Sequence, residues 1–281
     1  MKYVAVMFDI VESRHYQGRL DIQKSIIQSI AYLNDLYGES IKKEMVPSAG
    51  DEFQGLFLDL QTAYLYVRKL QILIYPVKIR CGIGFGEIKY DVSEWLSSAF
   101  DGDAYYLARD AINAAREQRK NTICFNTNSK TDKYLNMLCL ANIEVKARQT
   151  QMAHWIELLT DILLPLRQVE EKIEFYKDLL DWKIKTIEQE RWNRVSGHFR
   201  EIELKNTDFD LLFKTKENIE MKDNESDLFF DDFWSFGMNT NIAQIMNTSR
   251  QNIDRYVSLG RIKESRTMDK TIYELLGEKL C

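Results

Sequence analysis

The first half of the chain alternates between short apolar runs and segments in which apolar residues recur every three or four positions. Apolar runs of strand length occupy residues 3–8, 41–45, 56–58, 77–88 and 123–125. The helical spacing occupies residues 20–36, 61–75 and 105–119. This order predicts an α+β domain with a ferredoxin-like layout, in which antiparallel strands carry helices on one side. A doubly wound sheet is not expected, because paired hairpins replace strand-helix-strand crossovers.

Three glycines, Gly82, Gly84 and Gly86, interrupt the run at residues 77–88. Their spacing predicts a central strand, a tight bend and a short returning strand. Glycine within a strand lets another backbone or a ligand approach closely. A bulge without any ligand explains the same residues equally well.

The second half of the chain has helical patterns and little glycine. Residues 151–200 predict two helices that turn near Pro165 or Gln168 and form an antiparallel hairpin or a dimerisation arm, which would make the protein a homodimer. A helical spacer packed against its own chain fits the pattern equally well. Residues 201–232 carry eleven acidic side chains against four lysines, which predicts an acidic linker that would repel DNA.

Residues 240–257 have a pattern typical of a helix-turn-helix. The apolar positions fit a short helix, a break at Asn247 and a second helix capped by Ser249. Polar side chains exposed on the second helix would suit the base edges and phosphates of double-stranded DNA. The expected DNA-binding residues are Ser249, Arg250, Gln251, Asn252, Arg255 and Arg261. Lys263 and Arg266 are expected to add contacts to the DNA backbone, although short helix pairs also serve protein contacts.

Two acidic loops supply the chemistry that the sequence predicts. The strand at residues 3–8 runs into Asp9, and a small-residue turn is followed by Asp51 and Glu52. If the first strand pairs beside this hairpin, Asp9 and Asp51 meet at one edge of the sheet, where a cation such as Mg²⁺ or Mn²⁺ relieves their repulsion. This predicts a two-metal site for a nucleoside triphosphate. An N-cap at Asp9 and a plain turn at Gly50-Asp51 explain each motif taken alone.

The third helical segment carries basic residues that could meet phosphate. Arg109, Arg116, Arg119 and Lys120 lie on it or just after it and could reach triphosphate oxygens. A solvated helix face is the more common explanation of such a set.

Composition narrows the classes of partner. The 281 residues carry a formal net charge of -5, so any contact with nucleic acid or acidic lipid must be local. The four cysteines lack the spacing of a metal site, and three scattered histidines do not indicate a zinc cluster. Since no uninterrupted apolar run approaches ~18 residues, a cytoplasmic protein without membrane contact is expected.

The motifs resemble the nucleotidyl cyclase-type palm shared by class III nucleotide cyclases and diguanylate cyclases. Residues 6–11 (VMFDIV) are similar to the first metal motif, 49–53 (AGDEF) to the second, and 80–86 (RCGIGFG) to the following glycine strand. The resemblance implies that Asp9 and Asp51 are catalytic, that they bind Mg²⁺ with the Ile10 carbonyl, and that the ligand is a purine nucleoside triphosphate. The nucleotide-binding residues that it implies are Ile10, Ser13, Gly50, Glu52, Gly84, Tyr106 and Arg109.

The sequence departs from the cyclase pattern at positions that bear on activity. Cyclases use an Asn and then an Arg on the third helix to hold ribose and phosphate, but Tyr106 and Asp110 stand there, with Arg109 one position early. Pro47 replaces the base-reading Lys. The resemblance therefore implies that metal and nucleotide binding persist while cyclisation is lost.

Over its whole length the sequence resembles the SatD-like family of bacterial proteins, and residues 102–111 (GDAYYLARDA) are similar to that family's third-helix motif. The resemblance implies a palm domain at residues 1–148, a helical connector and acidic linker at 149–232, and a helix-turn-helix DNA-binding module at 233–281. A palm domain followed by a DNA-binding module predicts a transcription regulator in which nucleotide occupancy biases DNA binding. The alternatives are an active nucleotidyl cyclase and a scaffold with an inactive palm.

Overall fold

The computed structural model describes residues 1–13, 19–88, 102–119, 122–168, 173–183, 206–219 and 234–278. The chain divides into two compact units. The first contains Met1–Ile143 and Ile272–Cys281, and the second contains Glu144–Thr271. No helix in the described ranges combines the length and the apolar composition that a membrane crossing needs.

The first unit is built around one five-stranded sheet. Its strands are β1 (Lys2–Ile10), β2 (Ile41–Ala49), β3 (Glu52–Phe57), β4 (Ile79–Glu87) and β5 (Ile123–Asn126), in the spatial order β2-β3-β1-β4-β5. The helices that begin in this unit are α1 (Arg19–Leu36), α2 (Leu60–Ile74), α3 (Asp103–Glu117) and α4 (Asp132–Ala147). The predicted mixed α+β architecture is confirmed, and α4 is an element that the sequence pattern did not reveal.

The sheet is not purely antiparallel, which corrects the sequence-based prediction. β1 lies between β3 and β4 and runs antiparallel to both, whereas β5 runs parallel to β4. Helix α3 joins β4 to β5, as the crossover between two parallel neighbours requires. The apolar runs marked the strands but carried no information about their direction.

Strand β4 continues through all three of its glycines, so the predicted bend in residues 77–88 is wrong. Gly82, Gly84 and Gly86 occupy every second position of the strand and therefore face one side of the sheet. A Cβ at Gly82 would lie 2.1 Å from the carbonyl oxygen of Ala108, and a Cβ at Gly84 would lie 2.2 Å from that of Ala104. The glycines thus allow the backbone of α3 to lie directly on β4.

Helices cover both faces of the sheet, which corrects the prediction that they lie on one side. On one face, Ala5 and Met7 of β1 belong to the same buried cluster as Ala108 of α3. On the other face, the ring of Phe57 on β3 meets the ring of Tyr66 on α2 with 5.1 Å between centroids. Strand alternation therefore assigns each residue of the sheet to an α3 face or an α2 face.

The cysteines of the described part lie in or near the core and form no disulfide there. Cys81 and Cys139 are buried and Cys124 is half-buried, whereas Cys281 lies outside the described residues. Burial raises the pKa of the Cys81 thiol well above its usual value. A neutral buried thiol is unreactive, as expected for a small core residue.

Every regular element described in the second unit is a helix. The helices are α5 (Gln151–Leu163), α6 (Ile173–Trp182), α7 (Phe209–Glu217), α8 (Met238–Ile245) and α9 (Arg250–Leu259), and α10 (Ile262–Glu278) begins in this unit. Helices α5 and α6 lie in the segment where two helices were predicted, of which residues 169–172 and 184–200 fall outside the described residues. Helix α7 lies within the acidic segment and buries Leu212 and Phe213.

Helix α5 brings charged side chains into the core of the second unit. The ammonium group of Lys146 lies 3.1 Å from the carboxylates of both Glu157 and Asp269. Arg266 lies 3.6 Å from Asp161 and donates a hydrogen bond to a backbone carbonyl oxygen at the end of α5. Because Arg266 is fully buried, its predicted contact with the DNA backbone is wrong. It occupies the buried face of α10, which its charge alone did not indicate.

His154 makes the stability of this unit depend on pH. Its Nε2 lies 3.1 Å from the Lys146 carbonyl oxygen, which can only accept, so Nε2 carries the proton of a neutral ring. Burial lowers the pKa of His154 to about 4. Above about pH 6.5 we expect His154 to make no contribution to the pH dependence of stability. As the pH falls to about 4.5, the free energy of unfolding should decrease by about 2–3 kcal/mol, because only the unfolded chain takes up the proton.

Urea unfolding of the wild type and of a His154→Gln variant over this pH range measures that loss. Glutamine cannot be protonated, so the variant should lose less stability between neutral pH and about pH 4.5 than the wild type does. Parallel pH profiles of the two proteins would contradict the lowered pKa.

Candidate functional site

Charged side chains gather at the end of the sheet where β1 stops and β3 begins. Asp9 lies directly opposite Glu52 in the pairing of β1 with β3, and opposite Arg80 in the pairing of β1 with β4. Residues directly opposite one another in antiparallel strands point to the same face. Ala5, Met7 and Asp9 occupy every second position of β1 and therefore share one face of the sheet, which is the α3 face. The side chains of Asp9, Glu52 and Arg80 consequently all lie on the α3 face.

Helix α3 adds two arginines to this end of the sheet. Arg109 and Arg116 are seven residues apart, which places them on one face of the helix. Arg109 Nη1 donates a hydrogen bond to Glu52 Oε2 at 2.8 Å. Arg116 Nη2 donates to Asp9 Oδ2 at 2.6 Å and to Glu52 Oε1 at 3.4 Å. Arg80 Nε donates to the remaining oxygen, Asp9 Oδ1, at 3.0 Å.

Asp9 and the two arginines of α3 differ in exposure. The Asp9 side chain is only 5% exposed, whereas those of Arg109 and Arg116 are 39% and 43% exposed. The hydrogen bond from Arg116 to Asp9 raises the pKa of the Arg116 guanidinium above its usual value. The cluster therefore combines a fixed, buried negative charge with permanently charged arginines that reach it from the solvent side.

The predicted acid Asp51 lies beside this cluster. It occupies the two-residue turn between β2 and β3, next to Gly50, whose φ of 64° is in the left-handed region that glycine adopts readily. Backbone spacing and strand pairing keep the Cα atoms of Asp9 and Asp51 within about 10 Å of each other. The acidic side chain that shares an arginine with Asp9 is the neighbouring Glu52.

The other predicted nucleotide-binding residues lie at different distances from the cluster. Ile10 ends β1 and Ser13 follows it in a turn. Tyr106 is an exposed residue of α3, one helical turn before Arg109. Gly84 lies beneath α3, four residues along β4 from Arg80 and hence about 13 Å away.

The sequence pattern did not place Arg80 in the site, and it suggested phosphate but no protein partner for Arg116. A signal for Arg80 was present, because it is a charged residue in the buried strand between Ile79 and Cys81, and such a residue needs an oppositely charged partner. The signal for Arg116 was its spacing of two helical turns from Arg109.

Asp9 and Glu52 offer a divalent cation a pair of hard oxygen ligands. Arg116 Nη2 lies 2.6 Å from Asp9 Oδ2 and 3.4 Å from Glu52 Oε1. These two oxygens are therefore at most about 6 Å apart. Oxygens around Mg²⁺ lie about 3–4 Å apart, and the ion usually keeps water and phosphate ligands beside one or two carboxylates. Among the described residues no group of three or more His, Cys, Asp or Glu could hold a metal. Two carboxylates supply fewer oxygens than Mg²⁺ takes, so an ion held between them would need further oxygen ligands.

A second candidate surface lies on α8 and α9. Ile242 and Ile245 of α8 are buried together with Ile253 and Val257 of α9, and the connecting turn contains Asn247 at a φ of 48°. These burials agree with the pattern that predicted two short packed helices.

The start of α9 presents polar residues to solvent. The Ser249 hydroxyl accepts a hydrogen bond from the Asn252 backbone N–H at 3.2 Å and so caps the helix as predicted. The exposed residues of this region include Arg250, Gln251, Asn252, Arg255 and Arg261. Asp254 of the same helix is half-buried and accepts a hydrogen bond from Asn239 at 2.5 Å.

A model of the SatD family matches residues 3–196, which is more than half of the chain. The chain belongs to the SatD family. In this SatD-family protein the matched residues include β1, β3, β4 and α3, and hence the whole charged cluster. Helices α8 and α9 lie beyond the matched residues.

Comparison with curated proteins and solved structures adds little to the family assignment. No curated protein matches the SatD-family chain. The guanylyl cyclase Cya2 is a solved structure that matches with a TM-score of 0.30 and 12% identity, over 44% of this chain and 74% of its own. A TM-score of this size carries no conclusion about fold or activity.

Proposed function

We propose that this SatD-family protein is a regulator that binds a purine nucleoside triphosphate with Mg²⁺ or Mn²⁺ at the Asp9–Glu52 end of the sheet and binds double-stranded DNA through α9. The observation that carries the first part is the convergence of two carboxylates and three arginines at that end. Carboxylates suit the cation, and guanidinium forks suit phosphate oxygens. The purine preference rests on the resemblance to nucleotidyl cyclases.

Four groups of the cluster have a role in this proposal. Asp9 and Glu52 would hold the metal ion, with the Ile10 carbonyl and Asp51 as neighbours that can supply a further oxygen. Arg109 and Arg116 would bind the phosphate chain from α3. When bound, Mg²⁺ would neutralise part of the phosphate charge.

Binding without cyclisation is favoured over the active cyclase alternative. Tyr106 and Asp110 of α3 stand where cyclases place the Asn and Arg that hold ribose and phosphate, and Tyr106 is exposed. Incubation with labelled ATP or GTP and Mn²⁺, followed by chromatography, separates the two functions. We expect unchanged nucleotide; a cyclic product that disappears in an Asp9→Asn variant would establish the cyclase instead.

Thermal unfolding of the full chain tests the binding proposal. ATP, GTP, CTP and UTP are each added with Mg²⁺ and, separately, with EDTA. A ligand at about 100 times its Kd stabilises the folded state by about 2.7 kcal/mol, which raises the Tm by several degrees. We expect this rise with ATP or GTP and Mg²⁺, and no rise with any nucleotide and Mg²⁺ would refute the proposal.

The DNA-binding part rests on the surface of α9. Its buried residues pack on α8 while Arg250, Gln251 and Asn252 remain exposed at its N-terminal end, which is the end that reads base edges when such a helix enters a major groove. Arg255 lies one turn further along and is also exposed. These side-chain types form hydrogen bonds with guanine, adenine and phosphate.

Arg250→Ala and Arg255→Ala are each expected to lower the affinity for DNA selected from genomic fragments by about tenfold or more. The matched control is Lys214→Ala, which removes one exposed positive charge from α7. Fluorescence anisotropy at several salt concentrations measures the affinity and the number of phosphate contacts. Failure of the wild type to enrich any DNA sequence would refute this part, and a change of affinity on adding nucleotide with Mg²⁺ would support coupling.

A further inference from the structure

The protein's own arginines occupy every carboxylate oxygen of the Asp9–Glu52 pair. Asp9 Oδ1 and Oδ2 accept from Arg80 and Arg116, and Glu52 Oε1 and Oε2 accept from Arg116 and Arg109. Each of these oxygens keeps a further lone pair, but a metal ion bound there would lie beside a guanidinium group of like charge, so metal binding is expected to displace guanidinium groups. A guanidinium group that leaves a carboxylate needs another anion, because an unpaired charge at a partly buried site is unfavourable.

We propose that the site works by ion-pair exchange: Mg²⁺ takes over the carboxylates only when a polyphosphate takes over the arginines, so metal and polyphosphate bind together and each binds weakly alone. This inference rests on the proposed nucleotide-binding function. It adds that the metal ion and the polyphosphate depend on each other for binding, and it identifies the class of anion.

The charges of the cluster identify the class of anion. Three arginines face two carboxylates, so Mg²⁺ alone would add two positive charges to a cluster that already has one in excess. The nearby Asp51 compensates for only one charge. A triphosphate carries about four negative charges at neutral pH, enough to pair with the released arginines, whereas a monophosphate carries about two at most. The expected order of affinity with Mg²⁺ is therefore triphosphate, then diphosphate, then monophosphate.

The exposures identify which groups move. Asp9 is held in the buried strand β1, whereas the Arg109 and Arg116 side chains are about two-fifths exposed and extend from a helix surface. Long arginine side chains change rotamer at little cost. Arg116 is the only one of the three that contacts both carboxylates, so its release frees one oxygen on each of them. Arg116 should therefore control access of the metal ion.

Arg116→Gln provides a test because the exchange predicts opposite effects on two ligands. Freed carboxylates should bind metal alone more tightly, by about tenfold or more, whereas loss of a guanidinium partner should weaken binding of the metal–triphosphate complex by about tenfold or more. A role in folding alone would weaken both. A role in phosphate binding alone would leave binding of the metal unchanged.

Electron paramagnetic resonance of free Mn²⁺ measures binding of the metal alone. Calorimetry with inorganic tripolyphosphate measures binding of the polyphosphate alone when Mg²⁺ is absent, and binding of the metal–polyphosphate complex when Mg²⁺ is present. Lys133→Gln is the matched control, since it removes one exposed charge from α4 and should change neither affinity. Arg109→Gln frees only one oxygen of Glu52, so it should raise the affinity for the metal alone and lower the affinity for the metal–triphosphate complex by smaller factors. It replaces Arg116→Gln if that variant does not fold.

The outcomes separate this inference from the proposed function. If the wild type binds Mn²⁺ alone as tightly as it binds Mn²⁺ with tripolyphosphate, ion-pair exchange is wrong although a metal and nucleotide site remains. If neither tripolyphosphate nor a nucleoside triphosphate binds with metal, the proposed function itself fails. Tighter Mn²⁺ binding and weaker tripolyphosphate binding in Arg116→Gln would support the exchange.

Discussion

Gly82→Ala is expected to lower the free energy of unfolding by about 3 kcal/mol or more. The new Cβ would lie 2.1 Å from the carbonyl oxygen of Ala108 and 2.7 Å from the backbone nitrogen of Ile112. Both are backbone atoms of α3, so no side-chain rotation relieves the overlap and the helix must move away from β4. Because α3 also carries Arg109 and Arg116, the variant should disturb the charged cluster as well.

Urea unfolding followed by circular dichroism measures this loss, and Gly38→Ala is its control. Gly38 lies in the short turn before β2, where an added Cβ would have no neighbour within 4 Å. That substitution should change the stability by no more than about 0.5 kcal/mol. If Gly82→Ala is too unstable to purify while Gly38→Ala is not, the expectation is also met. A Gly82→Ala protein as stable as the wild type would contradict the packing of α3 on β4.

Asp9→Asn is expected to weaken binding of a nucleoside triphosphate with Mg²⁺ by about 100-fold or more. Loss of one partner of a buried charge pair between protein and ligand costs about 2–5 kcal/mol of binding free energy, and each 1.4 kcal/mol corresponds to about a tenfold change in affinity. Asparagine keeps the shape of the side chain but offers the metal ion no charge. The Mg²⁺-dependent rise in Tm should therefore disappear.

Two further variants identify the second carboxylate ligand. Glu52→Gln should have an effect close to that of Asp9→Asn, because Glu52 lies opposite Asp9 and shares Arg116 with it. Asp51→Asn should have a smaller effect, and Glu39→Gln, in the exposed turn before β2, should have none. A larger effect of Asp51→Asn than of Glu52→Gln would show that the metal pair is the one indicated by the sequence motif, Asp9 with Asp51.

Much of the candidate site follows from alternation along single strands. Asp9 shares a face with Ala5 and Met7, and Arg80 shares a face with the three glycines of β4. The sequence therefore contained the information about which residues of its own strand share a face with each charged residue. It did not contain the grouping between strands, because shifting a strand by one residue reverses the face of every side chain.

Local patterns in the chain were sufficient to predict where the strands lie, although not the unbroken course of β4, and to predict the hairpin turn at Gly50, the first three helices and the Ser249 cap. Those features depend on near neighbours, through backbone sterics and hydrogen bonds within a few residues. Long-range pairing, in contrast, set the partners of the charged side chains: Arg80 and Arg116 meet Asp9 across 71 and 107 positions. Packing of α3 on the glycines of β4 brings those groups together, and a buried helix face likewise places Arg266 in the core, which no local pattern encodes.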